Sequence, residues 1–375
     1  MRMKKKKVLI VTNPLNVGGF DVVATNLQFN MDSNKFDFVY CLRGSKVGIL
    51  EPEVIKSGAK VIHQPENTLN YFKSFFYLLK LMKKEHIDIV HSHLMFYSGI
   101  VVTAGFFAGV KKRVAHSHMT DPCIENRSRV KRIVAGIYSF FMKILLNVFA
   151  TDKIACSPQA GEYLFGRKSF EKNGTILNNA TYLDRFYYDE RIRNKIREDM
   201  NLENKFVVGH IGRLNYVKNH KFLVNVFSEI AKIEPNSVLL IVGDGEEREN
   251  IENFCRKLGV FENVIFTGIR KDVENLLNAM DIFVFPSLHE GLPMTLVEAQ
   301  ATKLPCLVAD TVSDYAKMNS NFEFFSLEKS AKEWAQKAVE LYDENKNRIE
   351  INNEKVIENY DIKNIAKQLE KIYLN

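Results

Sequence analysis

Cysteine pairs are missing from this chain. Its five cysteines, Cys41, Cys123, Cys156, Cys255 and Cys306, lie far apart with no C-x-x-C among them, which argues against a zinc site or a disulfide framework and fits a reducing cytosol. Long hydrophobic runs are missing too. No stretch of about 18 uncharged apolar residues occurs, so nothing in the sequence reads as a clear membrane span. At the lysine-rich start, MRMKKKKVLIVTNP, only Val8 to Thr12 separate the positive run from Asn13 and Pro14, too little for a signal-peptide core. It reads as a lead into a buried first strand. There is no short-period repeat and no low-complexity linker. Neither the G-x-G-x-x-G of dinucleotide binders nor the Lys-Ser/Thr of a phosphate loop is found.

What is present is ordinary globular material, 46% hydrophobic and 26% charged over 375 residues. That length exceeds what one hydrophobic core supports, so two domains are expected. The net charge of +7 is unevenly placed. Between Lys111 and Lys143 eight Lys/Arg face only Asp121 and Glu125, a local +6. Inside that region 127–150, RSRVKRIVAGIYSFFMKILLNVFA, is basic at the front and apolar behind. Two readings stand: peripheral contact with an anionic membrane, or a core helix with a solvated basic first turn. Nucleic acid is not expected as a partner, because the basic residues are not interleaved with aromatics and no binding motif occurs.

Short apolar runs alternate with amphipathic stretches along the chain. VLIVTN, FDFVYCL, AKVIHQ, DIVHSH, RVAHSH and KIACS read as strands. The rhythm restarts after Asp184 with KFVVGHIG, SVLLIVGDG, NVIFTG, DIFVFPS and PCLVAD. This alternation predicts α/β architecture with two parallel sheets in succession, in domains 1–186 and 187–357. The last stretch, 358–375, has helical spacing with no strand after it and is expected to fold back on the first domain. Two Rossmann-like domains of this kind face one another across a deep cleft, where ligands meet the carboxyl ends of the strands.

Candidate chemistry follows the strand ends. Gly18-Gly19 in VGGFDVV lets backbone come close to a phosphate or sugar, although a tight turn with no ligand explains it equally. In IVGDGEEREN, Asp244, Glu246 and Glu247 crowd the helix start and would repel a phosphate, so that loop reads as structural. In GHIGRLNYVKNH, Arg213 and Lys218 follow a strand's carboxyl end, five residues apart, and can converge on one anion as fork and point charge. The stretch HEGLPMTLVEAQA places Glu290 before a Gly-Leu-Pro turn and Glu298 inside the helix that follows. That helix start offers unpaired N–H groups to a diphosphate, and a rise of about 12 Å keeps the acids apart along the ligand. The separation argues against a paired-carboxylate hydrolase. His91, His93, His116 and His118 stand in two similar strand ends. His116 and His118 share a face, so one can support the other, and His118 is the candidate to face the cleft. Metal ligation by these pairs lacks a joining carboxylate or cysteine.

These stretches, with VIFTGIRKDV, ACSPQAGEYLFG and PSLHEGLPMTLVEAQATKLPCLVAD, resemble the family 4 retaining glycosyltransferases of the GT-B fold, in particular the bacterial enzymes of capsular and exopolysaccharide synthesis. The resemblance covers nearly the whole chain. It implies transfer of a hexosyl group from a nucleotide-sugar, expected to be a UDP-sugar, to a lipid-linked saccharide, in the cytoplasm at the inner membrane face. Arg213 and Lys218 would hold the diphosphate in place of a metal ion, in keeping with the absence of D-x-D. No cofactor is implied. Glu290 would meet the donor sugar's hydroxyls, with backbone contacts from Gly291, Leu292, Pro293 and Met294, and Glu298 would hold the ribose. Thr267, Gly268, Ile269 and Arg270 would carry the base, His118 would touch the transferring sugar, and Gly18-Gly19 would admit the donor phosphate or acceptor. Attack from the front face would let the departing phosphate oxygen take the acceptor's proton. Two departures stand out: Asn178-Asn179-Ala180-Thr181 lacks the family's closing acid, so no site is assigned there, and Lys303-Leu304-Pro305 replaces Ala-Gly-Leu-Pro. A UDP-sugar epimerase of the same fold, or a non-catalytic partner of another transferase, are the alternatives.

Overall fold

The computed structural model describes residues 4–16, 19–118, 129–290 and 292–375. The chain divides into two compact units, Met1–Thr181 with Ile362–Asn375, and Tyr182–Asp361. In the first, β1 (Lys6–Thr12), β2 (Phe36–Arg43), β3 (Lys60–Gln64), β4 (Ile89–Ser92), β5 (Lys112–Ser117), β6 (Asp152–Ala155) and β7 (Gly174–Ile176) form one sheet in the order β3-β2-β1-β4-β5-β6-β7. In the second, β8 (Phe206–Ile211), β9 (Ser237–Val242), β10 (Val264–Gly268), β11 (Ile282–Phe285), β12 (Cys306–Ala309) and β13 (Phe322–Phe325) are ordered β10-β9-β8-β11-β12-β13. Every ladder pairing within the two sheets is parallel.

Helices on both faces explain the composition of the strands. All six residues of β8 and all six of β9 are buried, so these strands read as continuous apolar runs rather than alternations. The eleven strands legible in the sequence all form. The two it does not announce, β7 and β13, are edge strands of three and four residues. An edge position leaves one side uncovered, and the apolar signal weakens with it.

Strand order reverses between β1 and β4 and again between β8 and β11. Adjacent loops leave the sheet toward opposite flanks at such points, opening a crevice at the strands' carboxyl ends. At the other end of the second sheet the buried Asp281 carboxylate accepts from Arg193, from Arg197 and from the Val207 N–H at 2.7 Å, which fastens the helix Glu190–Asp199 beneath β8 and β11.

The C-terminal helix Ile362–Leu374 belongs to the first unit. It buries Ile362, Ile365, Ala366, Leu369 and Tyr373, and Glu370 accepts from the Asp32 N–H at 2.6 Å and from Lys35 at 3.2 Å. The helix Arg129–Phe149 has a different character. It packs Met142 and Leu146 inward, whereas Ile133, Val134, Ile137, Phe140, Phe141, Ile144 and Val148 are between 44 and 64% exposed. The core-helix reading of that segment therefore holds for one narrow face only.

Candidate active site

Three loops of the second unit meet at its switch point. The loop after β8 carries Lys218 and the loop after β11 carries Glu290. They are tied by the Leu288 N–H to the Val217 carbonyl at 2.8 Å and by Asn219 Nδ2 to the Pro286 carbonyl at 3.1 Å. Asn219 sits at φ 55, a left-handed position that asparagine tolerates better than most residues. The loop after β12 closes the group, with Thr311 Oγ1 donating to the Ser287 carbonyl at 2.6 Å and the Ser313 N–H to the Glu290 carbonyl at 3.3 Å.

Within this frame Lys218 Nζ lies 2.8 Å from Glu290 Oε1, with side-chain exposures of 13 and 23%. The ammonium also stands 4.4 Å from the centre of the Phe285 ring. Gly212 leaves room for its stem, since a Cβ there would come within 3.0 Å of Lys218 Cε. His210 and His220 lie behind. Burial first, and then neighbouring positive charge, pushes the His220 imidazole down to about 4 and His210 well below its ordinary value. Lys218 is thus a largely buried side chain beside the Phe285 ring, ion-paired with Glu290.

Arg213 is held elsewhere, 3.1 Å from Glu246 in an ion pair 70 and 57% exposed. Such a pair contributes little and breaks easily. Gly243 and Gly245 explain the acidic loop beside it: a Cβ would fall 2.0 Å from the Gly212 carbonyl oxygen in one case and 2.3 Å from that of Leu214 in the other. That loop is glycine-rich so that it can pack against the loop carrying Arg213.

The helix Met294–Ala301 opens at Pro293 with no side-chain cap. Two hydroxyls, Thr295 Oγ1 in its first turn and Ser287 Oγ in the loop after β11, are buried with no hydrogen-bond partner among the described residues. Glu298 lies one turn in. Burial pushes its carboxyl up to about 7, with the nearby Glu274 adding to the rise and Arg185 opposing it. Leu292 packs against the core below. On β10, Thr267 Oγ1 donates to the Gly268 carbonyl at 3.0 Å, Ile269 is exposed, and Arg270 pairs with Asp272 at 2.6 Å. Gly291 and Gly18 lie outside the described residues, and Gly19 begins the helix Gly19–Phe29.

In the first unit the four histidines occupy the carboxyl ends of the adjacent strands β4 and β5. The pairing of His91 with Val114 and Ser92 with Ala115, carried one residue on, sets His93 beside His116, with His118 two residues further along. His118 finds its hydrogen-bond partner on the neighbouring strand: His93 Nδ1 is 2.7 Å from His118 Nε2, whereas the His116 ring packs against it, ring centres 4.0 Å apart and planes tilted by 31°. The other His118 nitrogen reaches Asn179 Oδ1 at 3.4 Å. Asn179 therefore takes part, although the sequence assigned that stretch no site; its departure from the family pattern lies two residues on, at Thr181. Burial pushes the His118 imidazole down to about 4.

Two doubly wound parallel sheets, each with polar side chains gathered at its switch point, define a GT-B-type glycosyltransferase. Residues 17–185 match the model of Glycosyltransferase Family 4, and residues 192–359 that of Glycosyl transferases group 1. The protein EpsF of Bacillus subtilis is 30% identical over 84% of this chain and 82% of its own length. The capsular polysaccharide biosynthesis glycosyltransferase CapH of Staphylococcus aureus is 27% identical over 98 and 99%. The Escherichia coli UDP-Gal:alpha-D-GlcNAc-diphosphoundecaprenol alpha-1,3-galactosyltransferase is 32% identical over 68 and 66%. Among solved structures, Anabaena HepE in complex with UDP superposes with a TM-score of 0.78 at 17% identity, covering 98% of each chain. The chain belongs to the family 4 glycosyltransferases and is a glycosyltransferase of polysaccharide biosynthesis.

Proposed function

We propose that this enzyme moves a hexosyl group from a UDP-sugar to a lipid-linked saccharide with retention of anomeric configuration, and that no metal ion assists the leaving group. The observation that carries the reading is the Lys218–Glu290 pair at the switch point, beside an uncapped helix start. A donor diphosphate would take Glu290's place against the Lys218 ammonium and accept from the helix N–H groups. Glu290 would then be released to the sugar hydroxyls, and Arg213, freed from a solvent-screened pair, would add a second cation. As the bond from the anomeric carbon to the phosphate oxygen breaks, the two cations and the helix dipole stabilise the charge developing on the diphosphate. The acceptor oxygen bonds to the anomeric carbon from the same face, and its proton passes to the departing phosphate oxygen. Glu298 is assigned to the ribose, residues 267–270 to the base, and His118 to the transferring sugar. The relatives that act on diphosphoundecaprenol-linked sugars support a lipid-linked acceptor.

The helix Arg129–Phe149 supports peripheral membrane contact. Its exposed apolar residues recur at helical spacing along one stripe, while Met142 and Leu146 fix the other face to the protein, so it would lie in the interface rather than cross it.

UDP at 100 times its Kd is expected to add about 2.7 kcal/mol to stability, and Lys218→Ala to lower transfer about 10²- to 10³-fold with a smaller effect on melting temperature. A panel of UDP-hexoses tested on lipid-linked saccharide identifies the donor. No shift with any nucleoside diphosphate, or release of an epimerised UDP-sugar in the absence of acceptor, would overturn the reading.

A further inference from the structure

Apart from His118, the histidines of β4 and β5 have no role in the transfer described above. His91, His93 and His116 are all buried, and one ring nitrogen from each lies within 4.8 Å of the others. The sequence shows only two separate His-x-His pairs; parallel pairing of β4 with β5 merges them into one cluster. Three of its nitrogens, His91 Nε2 and both of His116, have no hydrogen-bond partner among the described residues. A bound ion would take up two of them, His91 Nε2 and one nitrogen of His116, relieving part of what leaving buried polar groups unpaired costs.

We propose that His91, His93 and His116 bind a late divalent transition ion such as Zn2+. An all-imidazole set suits zinc and its neighbours and disfavours Mg2+ or Ca2+, which take oxygen ligands. Zinc–nitrogen bonds of about 2.0–2.1 Å require the rings to draw together by roughly an ångström, within reach of small side-chain rotations. Burial keeps the imidazoles neutral, the form that ligates.

The surrounding hydrogen bonds fit this assignment. Tyr373 Oη lies 2.6 Å from His91 Nδ1, so the hydroxyl can accept that N–H and turn Nε2 toward the cluster, as outer partners of metal-bound histidines do. His93 engages His118 through Nδ1, leaving Nε2 for the ion. A metal-bound His93 must carry its proton on Nδ1 and donate it to His118 Nε2. His118 must then carry its own on Nδ1, facing Asn179 Oδ1. The ion would thereby fix the tautomer of the histidine assigned to the sugar. The ion's site lies wholly within the first unit and is distinct from the diphosphate grip.

Untagged full-length protein, stripped with a chelator and dialysed, is titrated with Zn2+ while bound metal and melting temperature are followed. One ion per chain is expected, with a rise in melting temperature, and uptake should be lost in His91→Ala and His116→Ala. Tyr373→Phe keeps the packed ring and removes only the hydroxyl, so it tests the site should the histidine variants fail to fold. It is expected to weaken affinity about ten- to hundredfold. No uptake by the wild-type chain, uptake unchanged in the histidine variants, or wild-type affinity in Tyr373→Phe overturns the proposal. UDP binding calls on the second unit and should be unaltered in every variant, so failure of the metal site leaves the transferase reading standing.

Discussion

Glu298 ties stability to pH and, under the proposed ribose contact, would tie ligand binding to it as well. Its carboxyl is held at about 7, against an ordinary value of 4.5. Between those values the folded protein keeps a proton that the unfolded chain has lost. The stability linked to the neutral carboxyl is therefore complete below about pH 4.5 and lost as pH rises through 7, up to about 3 kcal/mol in all. Glu298→Gln, which stays neutral, should be more stable than the wild type at pH 8 and equal to it at pH 4, as denaturant midpoints would show. Ligand affinity should run the other way. Hydrogen bonds to a charged acceptor are worth about 1 kcal/mol more than neutral ones, so UDP should bind the wild type about three- to fourfold more tightly at pH 8 than at pH 6 through this group. The nucleotide's own titration is common to both proteins, and parallel wild-type and Glu298→Gln profiles would remove the ribose role. The candidate residues were legible from their spacing in the sequence, but this altered acidity was not: it arises from burial and from Glu274, 24 positions away.

At the scale of elements, the second sheet has a supporting end and an end that carries the candidate site. Asp281 anchors the amino ends of β8 and β11, far along the strands from Lys218 and Glu290. Asp281→Ala leaves the partly buried guanidinium groups of Arg193 and Arg197 without their carboxylate. A loss of about 3–5 kcal/mol is expected, read from the urea midpoint, with UDP affinity unchanged in the protein that remains folded. The sequence concealed this role, because Asp281 reads as an ordinary polar residue ahead of a strand and its partners lie 74 to 88 positions earlier. The helix Arg129–Phe149 reads the other way. Its basic-then-apolar pattern is plain, but only packing shows which apolar residues are left over. Phe140→Asp with Phe141→Asp should lower binding to anionic vesicles by at least tenfold, since burying each ring contributes about 1.5–3 kcal/mol, while high salt weakens the wild type. Equal sedimentation of both proteins with vesicles would dismiss the membrane role.

At the scale of the whole molecule, the chain crosses to a second unit at Thr181 and returns at Ile362. The returning helix buries Ile362, Ile365, Leu369 and Tyr373, worth about 6–12 kcal/mol together, which matches the entire net stability of a typical domain. A chain ending at Asp361 should therefore lose the first unit to limited proteolysis while UDP still protects a fragment near 182–361; resistance of the first unit would refute that account. The sequence by itself determined the alternating α/β pattern, the two successive parallel sheets and the position of the candidate residues in the loops after β8 and β11, because these depend on local hydrophobic period and on turns at strand ends. Tertiary structure alone decided the pairing of Lys218 with Glu290, the docking of His118 on His93 and Asn179, the acidity of Glu298 and the union of two His-x-His pairs. Those features depend on strand order and register, which bring distant residues side by side without leaving any local trace along the chain.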